Sequence, residues 1–98
     1  MIYNSQTISE RLRPVFCAYN IRRATLFGSY AKNTATEKSD IDIYVDSGLR
    51  GMKFVGFMEK IRERLDGKEV DVLDKAHIEE SSRVLSEINR DGILIYAR

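Results

Sequence analysis

A small mixed α/β sheet with covering helices is the fold class the sequence predicts, and three observations carry it. Asp40-Ile41-Asp42-Ile43-Tyr44-Val45 alternates polar and apolar residues at the two-residue period of a strand. From Met52 to Asp66, the residues Phe54, Met58, Ile61 and Leu65 recur at helical spacing. Short apolar runs alternate with these patterns, so the chain reads helix, strand, turn, strand, helix, strand, helix, strand.

Thr7-Ile8-Ser9-Glu10 has capping-box spacing, and Ile8, Leu12, Val15, Phe16 and Tyr19 continue the period, which predicts a helix over Thr7–Tyr19. Pro14 inside it predicts a kink or a restart, and Cys17 is expected as a small buried hydrophobe. Ala24–Phe27 reads as a strand closed by Gly28-Ser29, with one helical turn at Tyr30-Ala31-Lys32. A polar loop over Asn33–Ser39 leads into the alternating strand, which Asp46-Ser47-Gly48 ends. Gly67 stops the helix that starts at Met52. Its stripe of Phe54, Met58, Ile61 and Leu65 is expected in the core; Val55 and Phe57 widen the apolar arc on opposite sides, and either neighbouring elements cover both or one of them faces a partner. Glu69–Leu73 is a third strand. Ile78, Val84, Leu85 and Ile88 mark a helix ending near Asp91-Gly92, and Ile93–Tyr96 closes the sheet.

At 98 residues and 11.3 kDa the chain suits a single domain over 1–98, whose folding hides roughly 65% of the unfolded surface. That length excludes an eight-fold barrel or a full two-half dinucleotide fold. Sixteen basic and fifteen acidic residues leave a net charge of +1, which argues against a strong nucleic-acid binder. One cysteine and one histidine provide neither an internal disulfide nor a Cys/His zinc site. No apolar run reaches the ~18 residues of a membrane span and no signal peptide is visible, so a soluble, cytoplasmic protein is expected.

Residues two apart on a strand face the same way at roughly 6.6 Å, so Asp40 and Asp42 present neighbouring carboxylates. Two divalent ions about 3.5 to 4 Å apart fit such a pair, and Asp71, a charge between Val70 and Val72, offers a third carboxylate. The same pattern also suits a half-solvated strand with Ile41, Ile43 and Val45 inward and Asp40, Asp42 and Tyr44 in water. A calcium loop starting at Asp40 would need glycine where Val45 stands. Gly28-Ser29 before a helical turn suits an anion cradle or an ordinary tight turn. Eleven residues before a two-carboxylate strand, the cradle joins the equipment for metal-assisted nucleotidyl transfer. His77 reads as a surface or capping residue, and Glu59–Arg64 as a solvated helix face. Arg11, Arg13, Arg22 and Arg23 form either solvated surface or a basic edge near a nucleotide.

Leu26-Phe27-Gly28-Ser29-Tyr30-Ala31-Lys32 followed by Ser39-Asp40-Ile41-Asp42-Ile43 resembles the signature of the DNA polymerase beta-like nucleotidyltransferases. The likeness is greatest to their minimal branch, the MNT antitoxins encoded beside HEPN toxins, and it extends through Lys68–Leu73 and Ile88–Tyr96. The resemblance implies that Asp40 and Asp42 hold two magnesium ions, that Asp71 binds one of them and helps deprotonate an acceptor hydroxyl, and that Gly28, Ser29 and Lys32 bind the triphosphate. It further implies transfer of AMP from ATP to a tyrosine of a HEPN toxin, in a hetero-oligomer. Lys32-Asn33 departs from the Arg-Gly common in the family, replacing a bidentate phosphate contact by a point charge and removing a flexible turn position. The other readings are an antitoxin of weak catalytic power that neutralises by binding, and an enzyme acting on a small molecule or RNA end, for which relatives carry extra helical domains.

Overall fold

The computed structural model describes residues 2–78 and 82–98. Its elements are α1 (Ser5–Ala18), β1 (Arg23–Phe27), β2 (Ile41–Asp46), α2 (Met52–Arg64), β3 (Val70–Asp74), α3 (Arg83–Asp91) and β4 (Ile93–Ala97), with short 3-10 turns at Gly28–Tyr30 and Lys75–His77. They form a four-stranded mixed sheet in the order β3-β2-β1-β4. β1 pairs antiparallel with β2 and β4, whereas β2 and β3 run parallel and are joined by the α2 crossover.

The alternation in β2 sets the two faces of the sheet. Ile41, Ile43 and Val45 are fully buried on one side, together with Ala24 and Leu26 of β1 and Val70 of β3. α1 contributes Ile8, Leu12, Val15 and Phe16 to this core, and α2 contributes Phe57 and Ile61, with Leu65 just beyond its end. The opposite face is partly covered by α3, whose Leu85 and Asn89 line a concavity with Thr25 and Tyr44. Tyr44 is therefore half-buried, not in open water.

Several expectations change on inspection. α1 begins at Ser5, because Asn4 caps it by accepting the Thr7 N–H at 2.7 Å, and it runs through Pro14 as one helix. Cys17 is exposed: it lies one position beyond Phe16, turned off the buried stripe, with its Sγ 3.5 Å from the Tyr96 hydroxyl. On α2 the buried stripe is Phe57, Ile61 and Leu65 with Phe54 half-buried, and Met58 is only partly covered. The helix is thus rotated toward Phe57, whose ring packs at a tilt against Phe16, Tyr19 and Phe54 at centroid distances of 6.1, 5.4 and 6.1 Å. Phe57 is a core residue and Val55 the exposed flank. Ile78 lies before α3 and not on it, and part of the span expected to lead into that helix falls outside the described residues.

The N-terminus is fastened by a polar staple. The Tyr3 hydroxyl donates to Asp66, and Arg11 reaches the same carboxylate at 3.1 Å. The hydrogen bond from Tyr3, followed by the Arg11 charge, holds the Asp66 carboxyl below its usual range despite slight desolvation. Arg11 is thereby committed to the end of α2, and Arg22 pairs with Asp46 at 3.7 Å. Asp46 stands at the other end of β2 from Asp42, so these arginines form no basic edge beside the carboxylates.

Truncating a buried aromatic costs about 3 to 5 kcal/mol, which for a chain of this size means a melting temperature lower by at least about 12 °C. Phe57→Ala is expected to show that loss in a thermal melt, and Val55→Ser to stay within about 0.5 kcal/mol of the parent.

Candidate active site

The site residues converge because of strand register. Parallel pairing places Asp42 directly beside Asp71, and antiparallel pairing places Phe27, the residue before Gly28, beside Asp42. Ile41 enters the ladder by donating its N–H to the Glu69 carbonyl at 3.1 Å. Ahead of it the loop is closed by Thr36 and Ser39, which exchange a backbone bond of 3.0 Å and a side-chain bond of 2.9 Å. Asp40, exposed at the lip of the strand, has the same parity as Asp42 and so belongs to the same face.

A cleft of about 350 Å³ is lined by Gly28, Asp42, Asp71, Glu87, Met58 and Arg62 among others. A larger concavity, about 840 Å³, opens instead at the far ends of β2 and β3, beside Asp46 and Asp74. There Asp74 is occupied, accepting bonds from the Ser47 N–H and Oγ at 3.1 Å each, and the predicted residues Asp42, Asp71 and Gly28 are absent from its walls. Size favours the larger cavity, whereas the gathered carboxylates favour the smaller one.

Gly28 has a left-handed φ of 72°, and a Cβ there would overlap the Asp42 carboxylate. Only glycine permits this approach of the turn to the acid. The Gly28 carbonyl accepts the Ala31 and Lys32 N–H groups at 3.1 Å each, shaping the turn, and the Ser29 carbonyl accepts the Thr34 N–H at 2.9 Å. Asn33 adopts a φ of 62°. Asparagine tolerates the left-handed region better than most residues, so the turn survives without a glycine there. Lys32 does not line the cleft itself; its Nζ lies 3.1 Å from Oε1 of Glu87, which does.

The electrostatics centre on Asp42, whose pKa is pushed up to about 6. Burial is the main cause, followed by the negative charges of Asp71, Asp40 and Glu87, with a hydrogen bond to Asp71 adding to them. Such uncompensated hard oxygen donors suit an oxygen-preferring divalent cation, which would relieve their repulsion. Among the described residues no three acidic, histidine or cysteine side chains are close enough together to hold one ion, so the fit rests on the adjacent pair Asp42 and Asp71, with Asp40 at the rim.

Glu87, Arg62 and Met58 reach the cleft without any sequence signal for it. Arg62 lies in the charge run expected to be solvated, and it is exposed while also lining the cleft. His77 is exposed on a 3-10 turn beside the other cavity.

An acid whose folded pKa lies above its unfolded one makes the native state bind more protons, so its contribution to stability falls as pH rises between the two values. For Asp42 that window runs from 3.8 to about 6. In EDTA, the melting temperature of Asp42→Asn is expected to rise relative to the parent as pH goes from about 4 to about 7. A constant difference between the two proteins across that range would contradict the assignment.

Comparison with known proteins accords with this geometry. A family model described as "Polymerase beta, Nucleotidyltransferase" matches residues 10–98. A relative from Methanocaldococcus jannaschii named "Putative protein adenylyltransferase" is 38% identical over 88 residues, covering 86% of this chain and 94% of its own. A second so named from the same organism is 34% identical over 79 residues, covering 79% of each. Among solved structures, a mutant of the toxin–antitoxin MntA-HpeT superposes with a TM-score of 0.69 at 25% identity, covering 98% of this chain and 75% of that one. A toxin–antitoxin with AMP-PNP shares the fold with a TM-score of 0.73 at 24% identity, covering 92% and 73%. Since the matched span includes the whole sheet and all three carboxylates, the chain belongs to the polymerase beta nucleotidyltransferase family.

Proposed function

We propose that this nucleotidyltransferase is an antitoxin, cytoplasmic and folded as a single domain, that moves AMP from ATP onto a hydroxyl of a protein partner, a tyrosine of a HEPN-type toxin. The observation that carries the reading is the register that puts Asp42 beside Asp71 with Gly28 packed against Asp42, in a chain 38% identical to a protein named for adenylyl transfer to protein.

Asp40, Asp42 and Asp71 would hold two magnesium ions, which when bound supply Lewis-acid activation of the phosphoryl group and shielding of the leaving group. Gly28 keeps the turn low enough for the triphosphate to lie over Asp42, and Ser29 beside it binds the tail. Asp71, exposed at the edge of the sheet, takes the proton as the acceptor oxygen attacks the α-phosphorus and the α–β bridging bond breaks. The products are an AMP ester and pyrophosphate. Asp42, with its raised proton affinity, would give up any bound proton to a cation held there.

A second reading, an antitoxin that neutralises by binding alone, draws support from Lys32, which is engaged by Glu87 and stands where relatives commonly carry arginine. Incubation with magnesium, labelled ATP and the product of the adjacent gene separates the two. Label on the partner protein supports transfer, label on RNA alone redirects the substrate, and a tight complex without label favours binding.

Gly28→Ala is expected to lower transfer by at least about 100-fold, because the added Cβ displaces the Asp42 carboxylate and misplacement of about 1 Å has that effect. Asp42→Asn is expected to abolish transfer while the apo protein stays folded. Turnover near the parent rate in either variant would remove Asp42 from the chemistry.

A further inference from the structure

Glu87 is the one cleft residue contributed by α3, and it faces two partners of opposite sign. Its Oε1 contacts the Lys32 ammonium at 3.1 Å, while its charge is among those set against Asp42. Both members of the pair are partly open to solvent, with side-chain exposures of 40% for Lys32 and 32% for Glu87. The pair ties the turn after β1 to α3 beside the cleft, whose wall Glu87 forms and Lys32 adjoins through that contact.

A carboxylate in that position acts on a bound triphosphate in opposing ways. It orients the lysine, and it competes with the phosphates for it. Orientation gains little, because an ammonium is a compact point charge with rotatable donors and no plane to align, unlike a guanidinium. Competition is larger: the polyanionic tail would meet Glu87 beside three aspartates, and repulsion grows with every charge on the tail. We propose that Glu87 is an internal counter-ion that occupies Lys32 beside the cleft and must yield it before a nucleotide is gripped. This rests on the nucleotidyl-transfer reading above and deepens it: nucleotide affinity is held down by a contact built into the fold, and Lys32 passes from carboxylate to phosphate as the cleft fills.

The test is a double-mutant cycle read by calorimetric titration with magnesium AMP-PNP. Glu87→Gln is expected to bind two- to fivefold more tightly than the parent, the range a partly exposed ion pair sets. Glu87→Ala, which removes the acceptor altogether, should gain at least as much. Lys32→Ala should bind more weakly, and in its background the Glu87 substitutions should add nothing. Melting temperatures of the nucleotide-free variants are expected within about 3 °C of the parent, so that a change in affinity is not one of folding. Unchanged or weaker binding in both Glu87 variants overturns the proposal, since it makes Glu87 a bystander or an orienting partner. The same gain in the Lys32→Ala background also overturns it, because Glu87 would then repel the nucleotide without acting through the lysine. If the unaltered protein binds no nucleotide, the nucleotidyl-transfer reading falls and the proposal with it, whereas binding by the parent with no effect of Glu87 leaves that reading standing.

Discussion

The parallel register between β2 and β3 is the constraint on which the site depends, since it sets Asp42 beside Asp71. Two carboxylates on adjacent strands repel each other, so something else must fix the pairing. It is fixed from the other face. Ile41, Ile43, Val45 and Val70 are all at most 2% exposed, and a slip of one residue would turn each of them outward. The crossover helix adds to this, because parallel neighbours need a long connection and α2 supplies it while burying Phe57 and Ile61 against the sheet. The repulsion is therefore carried by apolar burial that lies wholly on the opposite side of the strands.

The turn after β1 faces a second demand, to pass next to an acid whose burial already raises its proton affinity. Glycine at position 28 meets it by lacking a Cβ. The neighbouring charges then fall into an order. Asp40 is solvated at the rim, Asp71 is exposed on the edge strand, and Asp42 alone is substantially covered. Desolvation thus singles out the middle carboxylate, and Lys32, the cation closest in sequence to the cradle, is spent on Glu87 and not on Asp42.

Local patterns were legible in the sequence wherever a residue's role is set by its own element. The alternation of β2 predicted both its faces, the Gly-Ser turn and the pair Asp40 and Asp42 stood out by spacing, and Asp71 stood out as a charge within an apolar strand. What was illegible depends on how elements turn toward one another. Phe54, Val55, Phe57, Met58, Ile61 and Leu65 make an arc too wide to be buried whole, and periodicity does not say which edge faces the core. Aromatic neighbours from α1 and its C-terminal cap, Phe16 and Tyr19, settled it in favour of Phe57. Likewise nothing within Arg83–Asp91 shows that Glu87 reaches a cleft, because its partner lies 55 residues earlier and the meeting depends on α3 lying over β1. Lys32 departs from a family pattern in the sequence, yet the contact that defines its state comes from a helix whose sequence signal is its apolar spacing.

The uneven covering of the sheet bears on what kind of acceptor the site can serve. α1 and α2 close one face, whereas on the other α3 packs over β1 and leaves the β2–β3 end open. Nucleotidyl transfer benefits from a water-poor site, where electrostatic stabilisation is strongest and hydrolysis of the donor is suppressed. Among the described residues nothing from this chain covers Asp71, which is exposed on an edge strand. On the proposed reading the missing wall comes from the acceptor: a protein surface seated on that edge brings its hydroxyl to Asp71 and excludes water in one step. A small molecule would leave the same edge wet, so on the proposed reading a macromolecular acceptor suits this open edge better.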